Sequence, residues 1–165
     1  MIQCKKKLIP LLLCAAMLFS LVSCGGAKTY RSDVPVDSLA AAGEACIALR
    51  SNLSDATEEF LDFYLEIDTA LCNGFKVRRP SGSSAIDEYG IFSAKSAEDA
   101  ETIRGALNKY LKGRVDAWDT RYDQSEKPKV DGAKTTVYGN YVIYTILSSS
   151  EQTAFLSAVE ELLIP

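Results

Sequence analysis

Carboxylates and arginines are the residues of this sequence whose types and spacing suggest chemistry. The chain contains no histidine, which excludes Ser-His-Asp and Cys-His catalysis, histidine-ligated metals and an imidazole general base. Glu58, Glu59 and Glu88 are the remaining acid–base candidates, because two carboxylates in different environments can act as acid and base. Nothing in their spacing places two of them within reach of each other, so we expect helix capping and solvation.

Asp116, Asp119 and Asp123 follow helical spacing and would align on one face of a continued helix. Hard cations prefer carboxylates, but a calcium loop also requires a glycine turn and closely spaced ligands. Arg114 and Arg121 lie among these aspartates and would compensate their charge. We therefore expect a solvated helix face and assign no metal site.

Residues 78–84 combine two cations, Arg78 and Arg79, with a loop rich in serine and glycine. Backbone donors and guanidinium groups in such a loop can receive an anion, for example a phosphate of a wall polymer. The spacing of a phosphate-binding loop is missing, and the serines do not form a nucleophile elbow. An edge strand followed by a mobile loop is the simpler interpretation, with the anion site as the alternative.

Aromatic side chains are numerous enough to line a groove for a sugar or a peptide. Successive residues of a strand face opposite sides of a sheet. Tyr138, Tyr141 and Tyr144 are therefore not expected to form one platform. Core packing, with the hydroxyl groups reaching the surface, is the expected arrangement. The aromatics are Tyr89, Tyr110, Trp118, Tyr122, Tyr138, Tyr141 and Tyr144. We assign no catalytic residue and no cofactor.

Residues 1–23 have the parts of an export signal, namely three lysines and then an apolar stretch over 8–22. The stretch is shorter than the roughly 20 residues that span a bilayer. Residues 21–24, Leu-Val-Ser-Cys, resemble the lipobox of bacterial lipoproteins. The resemblance implies cleavage before Cys24 and attachment of a lipid to its thiol, which anchors the protein on the extracytoplasmic face of the cell membrane. An ordinary cleaved signal peptide and an uncleaved anchor are the alternatives.

The chain that follows the export signal has the size of one acidic domain. All 22 acidic residues lie after residue 23 together with 15 of the 18 basic ones, a net charge of −7. This charge disfavours nucleic acid as a partner. Cys46 and Cys72 remain as thiols once Cys24 is lipidated. An exported location permits a disulfide between them, whereas their apolar helical contexts favour free cysteines.

The first half of this chain predicts a tether and two helices. Residues 24–36 lack apolar periodicity and are expected to link the lipid to a single α+β domain of residues 37–165. Asp37 and Asp55 are expected to cap the two N-terminal helices. Asp68 is expected to cap a further short turn.

The second half predicts the sheet. A turn is expected at Asn73-Gly74, an edge strand at Phe75–Arg79 and a further strand at Glu88–Ala94. Gly139-Asn140 lies between two β-rich runs, which predicts a central hairpin over 135–147. Helices capped by Ser96 and Ser149 precede and follow this hairpin. The pattern indicates a small antiparallel sheet of three to four strands, with the helices packed mainly on one face.

The stretch Asp87–Lys95, the polar helix after it and Gly139–Val142 before the closing helix resemble the domain of unknown function family number 4358. Its members are small exported proteins, mostly lipoproteins, of Gram-positive bacteria. The resemblance covers roughly residues 37–163. It implies an architecture and a location, and it transfers no catalytic residue because no activity is attached to the family.

We expect a non-catalytic module that binds or positions a protein or wall component in the cell envelope, in addition to its contact with the membrane. One alternative is an envelope hydrolase that uses carboxylates alone, for which two facing carboxylates about 5–9.5 Å apart are needed. The other alternative is a structural lipoprotein without a dedicated ligand.

Overall fold

A five-stranded antiparallel sheet lies at the centre of the fold, in the order β1-β2-β3-β5-β4. The computed structural model describes residues 28–48, 52–82, 86–119, 121 and 123–165. The strands are Leu53–Asp55 (β1), Cys72–Pro80 (β2), Glu88–Ala94 (β3), Lys134–Tyr138 (β4) and Tyr141–Ile146 (β5). The α-helices are Val36–Glu44 (α1), Glu58–Phe60 (α2), Ala97–Asp116 (α3), Lys127–Asp131 (α4) and Ser149–Leu163 (α5). None of the helices described is long and apolar enough to cross a membrane.

Helices cover both faces of the sheet. Strands β3 and β5 are buried at every residue, and their side chains alternate between two separate cores. Phe92 and Tyr144 point to the α3 face, which α2, α3 and α4 cover, whereas Ile91 and Ile143 point to the α5 face, which α1 and α5 cover. The prediction that helices pack mainly on one face is therefore wrong, because strands that are apolar on both sides need cover on both sides.

The prediction of three to four strands is also wrong, because it omits the edge strand β1. This strand pairs with the end of β2, so that Asp55 lies opposite Arg78, and β2 is the second strand of the sheet. Strand β1 has only three residues, and only Leu53 among them is buried. Its sequence therefore shows no alternation of buried and exposed positions from which a strand could be predicted. The predicted turn at Asn73-Gly74 is instead a bulge at the start of β2.

Of the two predicted N-terminal helices, the first forms an ordinary α-helix, although it begins after Pro35 without a side-chain cap from Asp37. The second is not capped by Asp55. Thr57 instead accepts a hydrogen bond from the Phe60 amide at 3.3 Å. Helix α2 continues directly into a π-helical turn at Leu61–Leu65, which we call the π-turn. A 3₁₀ turn at Thr69–Leu71 follows, capped by Asp68 as predicted.

The second half of the chain agrees more closely with the predictions. Strand β3 has the predicted bounds. Ser96 accepts a hydrogen bond from the Asp99 amide at 3.0 Å at the start of α3. Gly139, with φ of 58°, lies in the turn between β4 and β5. Helix α5 is capped by Ser148 and not by Ser149, a difference of one residue.

The first described residues lie against the domain. The Arg31 amide donates to the Leu163 carbonyl at 2.8 Å, at the end of α5. The buried phenol of Tyr141 donates to the Val34 carbonyl at 2.7 Å. Residues 28–35 therefore belong to the packed domain.

Candidate functional site

The predicted lipidation residue, Cys24, lies outside the described residues. Cys46 and Cys72 are both free thiols. Cys72 belongs to the core of the α3 face, whereas Cys46 follows α1 on the α5 face, so the sheet separates them. Burial raises the pKa of the Cys72 thiol to about 11. Of the two alternatives for these cysteines, the structure has the free thiols.

Arg78 is neutralised by carboxylates on the α5 face of the sheet. Its Nε atom lies 3.0 Å from Glu44 Oε1, and its Nη1 atom lies 3.2 Å from Asp55 Oδ1. The phenol of Tyr89 donates to the same Glu44 oxygen at 2.7 Å. The cation considered for the alternative of an anion site is therefore already paired within the domain.

Arg79 points to the opposite face, as expected for the next residue of a strand. Its guanidinium carbon lies 3.9 Å from the centroid of the Phe60 ring, which is a cation–π contact. Ser81 directs its amide and its hydroxyl to the Asn52 carbonyl, each at 2.8 Å. Ser83 and Ser84 lie outside the described residues. Arg78 and Arg79 thus do not form a joint anion site.

Glu88 forms a buried hydrogen-bonded network on the α3 face. Its Oε1 atom accepts from the phenols of Tyr144 at 2.7 Å and Tyr110 at 2.8 Å, and its Oε2 atom accepts from Arg114 at 3.1 Å. Burial, followed by the adjacent Glu88 carboxylate, raises the pKa of Tyr144 well above its ordinary value. The phenol therefore stays protonated and donates. Glu88 is 0% exposed, so this network is structural.

Asp87 is buried beside Glu88 and has its own cation. Both of its oxygens accept from Lys129 Nζ, at 3.0 and 3.2 Å. Lys129 is also 2.8 Å from Glu126. Two neighbouring carboxylates thus lie under α3 and α4 with separate cationic partners, and neither faces solvent.

The three aspartates considered for a metal site do not share a helix face. Helix α3 ends at Asp116, whose carboxylate pairs with Lys112. Asp119 pairs with Arg121 at 2.8 Å, and Asp123 accepts from Ser125. The expected solvated arrangement fits these pairings. Within the described parts of the chain, no cluster of three or more potential ligand residues is suited to a metal ion.

The aromatic residues divide between the two cores, as the strand alternation predicts. Tyr89 and Tyr141 are buried on the α5 face, whereas Tyr144 is buried on the α3 face. Tyr110 and Trp118 pack against the α3-face core. Tyr122 lies outside the described residues. The predicted aromatics therefore form core, and no continuous groove.

A concave surface lies around the π-turn, and Glu58 and Glu59, considered above as acid–base candidates, lie on its wall. This acidic groove has a volume of about 720 Å³. Five carboxylates converge on it, and all five residues are exposed. The groove is lined by Glu58, Glu59, Asp62, Phe63, Glu66, Ile67, Asp68 and Thr69.

Two aromatic side chains project from the π-turn beside the carboxylates. Phe63 is 75% exposed and Tyr64 is 66% exposed, which makes them the most exposed large apolar residues described. A smaller cavity of about 250 Å³ lies behind Tyr64, against Tyr110 and Arg114. The π-turn thus places adjacent aromatics on a ridge between two concave surfaces.

Glu66 ends the π-turn in an unusual backbone conformation. Among the described residues it is the one non-glycine residue with a positive φ, 54°, a conformation that costs an L-residue roughly 1–2 kcal/mol. Its carboxylate lies 2.5 Å from Lys109 Nζ on α3. π-turns and left-handed non-glycine residues are enriched at functional sites, which together with the exposed aromatics makes this surface the candidate site.

Sequence reasoning missed this site because Glu58 and Glu59, although considered as acid–base candidates, were expected to serve in helix capping and solvation, and Phe63 and Tyr64 were not considered as a binding surface. A regular helix at 3.6 residues per turn would bring Tyr64 under the same face as Phe60. In the structure the Tyr64 ring does stack on the Phe60 ring, with centroids 5.3 Å apart, yet Tyr64 itself stays 66% exposed. The signal that was available is the recurrence of acids at 58, 59, 62 and 66 around two consecutive aromatics.

Comparison with known proteins gives one family and no characterised relative. No curated protein and no solved structure matches the chain. A family model matches residues 45–147, a region that includes the acidic groove, the Glu88 network and the whole sheet but neither α1 nor α5. Because that match spans more than half of the chain, the protein belongs to the family described as a domain of unknown function, DUF4358.

Proposed function

We propose that this protein is a lipoprotein, anchored through Cys24 to the extracytoplasmic face of the cell membrane, that binds a protein partner of the cell envelope through the acidic groove. The observation that carries the binding role is the exposure of Phe63 and Tyr64 beside five carboxylates. The anchor is supported by the lipobox-like sequence that ends at Cys24 and by the export signal before it.

The chemistry of the groove favours one kind of partner. Exposed aromatic rings gain most when an apolar group or a cation covers them. The surrounding carboxylates favour lysine or arginine at the rim and oppose anionic polymers. The complementary partner is therefore a protein segment with apolar residues flanked by basic ones, and not a phosphate-rich wall polymer.

Binding fits this site better than catalysis does. A carboxylate-based hydrolase needs a general acid held in an apolar setting, whereas the groove carboxylates are exposed. The two buried acids, Asp87 and Glu88, are covered by α4 and α3 and bonded to Lys129 and Arg114. No described pair of carboxylates thus combines access to a substrate with an apolar setting.

The anchor is tested by replacing Cys24 with alanine. We expect the wild-type chain to incorporate labelled palmitate and to float with membranes, and the Cys24→Ala chain to do neither. A diacylglyceryl group gives stable attachment because two acyl chains each contribute about 0.8 kcal/mol per buried CH₂. Equal incorporation of label by the two chains would show that the lipid assignment is wrong.

The binding role is tested with a photoreactive phenylalanine analogue at position 63 of the lipidated protein in intact cells. Val115, an apolar residue of α3 that is 39% exposed, is the matched control position. We expect a discrete, protease-sensitive adduct from position 63 alone. Asp62→Lys should abolish it by charge reversal, whereas Glu98→Lys on α3 should not.

Two results would contradict the binding proposal. The first is the same adducts from positions 63 and 115, which would indicate random collisions. The second is an adduct that a wall-degrading enzyme removes and a protease does not, which would identify a wall component as the ligand.

A further inference from the structure

The first described residues, which begin at Lys28, are held against the domain at a defined position. Lys28 Nζ lies 2.7 Å from Glu160 Oε1, and the phenol of Tyr30 donates to the same oxygen at 2.8 Å. The Tyr30 ring also packs against Tyr138, with centroids 5.2 Å apart. These contacts hold the segment at the C-terminal end of α5, beside the turn between β4 and β5.

The chain between this position and the proposed lipid is short. Residues 25–27 separate Cys24 from Lys28, and an extended chain advances at most about 3.3–3.6 Å per residue. The Cα atom of Lys28 therefore lies within about 14 Å of the lipid-bearing residue. Helix α5 is longer than this, since its 15 residues rise about 1.5 Å each.

We propose that the domain faces the membrane with this end, the Tyr30 patch, which consists of Lys28, Tyr30, Glu160 and Ile164. The inference rests on the proposed anchor at Cys24 and adds the orientation of the domain. The opposite end of α5, at Ser150, then lies farther from the lipid, because Ser150 and Leu163 are about 20 Å apart along the helix.

The composition of the Tyr30 patch suits contact with a lipid surface. Ile164 is 48% exposed, and the neighbouring Leu162 is 39% exposed. The Glu160 carboxylate is compensated by Lys28, which reduces its repulsion from anionic headgroups. Glu161 remains an exposed acid near this end, so the short tether, and not charge attraction, sets the orientation.

Energy transfer from tryptophan to dansyl-labelled lipid headgroups tests this orientation in vesicles that carry the lipidated full-length chain. Trp118, the single tryptophan, is first replaced by phenylalanine, and tryptophan is then introduced by Ile164→Trp or Ser150→Trp. We expect several-fold greater transfer from position 164 than from position 150. Equal transfer, or greater transfer from position 150, would overturn the inference.

Amine labelling of the unmodified sequence gives a second measurement that does not depend on these variants. A water-soluble acylating reagent should modify Lys28 several-fold more slowly in the vesicle-bound chain than in the Cys24→Ala chain in solution. Lys127, on α4, should react at the same rate in both. If Lys28 is not slowed relative to Lys127, the orientation is wrong. If the wild-type chain carries no lipid and does not float with vesicles, the proposed anchor itself fails.

Discussion

Arg114 on α3 reaches Glu88 at the start of β3, with Nη1 3.1 Å from Oε2. The Glu88 side chain is 1% exposed and the Arg114 side chain is 30% exposed. The guanidinium thus extends from solvent to a fully buried carboxylate. Since the phenols of Tyr110 and Tyr144 satisfy the other oxygen, the pair fixes α3 at one position on the sheet.

We predict that Arg114→Met lowers the free energy of unfolding by about 3 kcal/mol, because removing one partner leaves an uncompensated buried charge. Urea unfolding measures the loss. Lys112→Met is the matched control on the same helix, since its pair with Asp116 is exposed and contributes at most about 1 kcal/mol. Adding Glu88→Gln to Arg114→Met should recover part of the stability. Equal losses for the two single variants would contradict the prediction.

Two glycines give opposite predictions for the same substitution. A Cβ atom at Gly90 would lie 2.3 Å from Cε1 of Tyr144, whose buried ring is held by Glu88, so Gly90→Ala should cost about 1–3 kcal/mol through overpacking. A Cβ atom at Gly105 on α3 meets nothing within 4 Å, so Gly105→Ala should stabilise the helix by about 0.5–1 kcal/mol. Thermal unfolding of both variants checks the signs, and the same sign for both would refute this account.

Cys72 should make the domain sensitive to alkali. The thiol pKa is raised by burial from 9.0 to about 11, so the unfolded chain ionises first and stability falls as the pH rises between these values. At pH 8 the contribution is fully present, and it is lost progressively as the pH rises towards 11. We predict that Cys72→Ala loses less stability than the wild type over this interval. A parallel decline of the two chains in urea unfolding would show that other groups cause the effect.

The packing of residues 28–35 against the rest of the domain is tested by removing the hydroxyl group of Tyr141. Tyr141→Phe removes the donor to the Val34 carbonyl and should cost about 1 kcal/mol, because both groups are buried. Tyr138→Phe, a half-buried position in the preceding strand, is the control and should change little. The free energies of unfolding of the two variants are compared with that of the wild type. A greater loss for Tyr138→Phe than for Tyr141→Phe would contradict the hydrogen bond assigned to Tyr141.

The sheet from β3 onward was predictable because its signals are local. Ser96 and Asp99 are three residues apart in a capping pattern, and Gly139 supplies the positive φ of a tight turn. The second face of the sheet was signalled by the apolar run at Tyr141–Ile146, but the helices that cover that face come from the two ends of the chain. Only tertiary contacts show that α1 and α5 pack together there.

The candidate site was not predictable in the same way. It lies on a π-helical turn at Leu61–Leu65, which the sequence periodicity does not distinguish from a regular helix. Arg78 and Asp55 are far apart in sequence, and their ion pair exists because β1 pairs with β2. Whether Arg78 receives an external anion was therefore decided by a strand of three residues that carries no pattern of its own.

The docked segment before α1 also determines how the protein would respond to mechanical load. With the proposed anchor at Cys24, a pull from the membrane would reach Lys28 and Tyr30 first, then the backbone bond from Arg31 to Leu163, and only afterwards Val34. These contacts lie in series along the chain, so tension breaks them one at a time. Release of residues 28–34 lengthens the link by about 23 Å at 3.3 Å per residue, while the sheet stays intact. Under the proposed anchor, the segment would thus act as an extension element between Cys24 and the sheet.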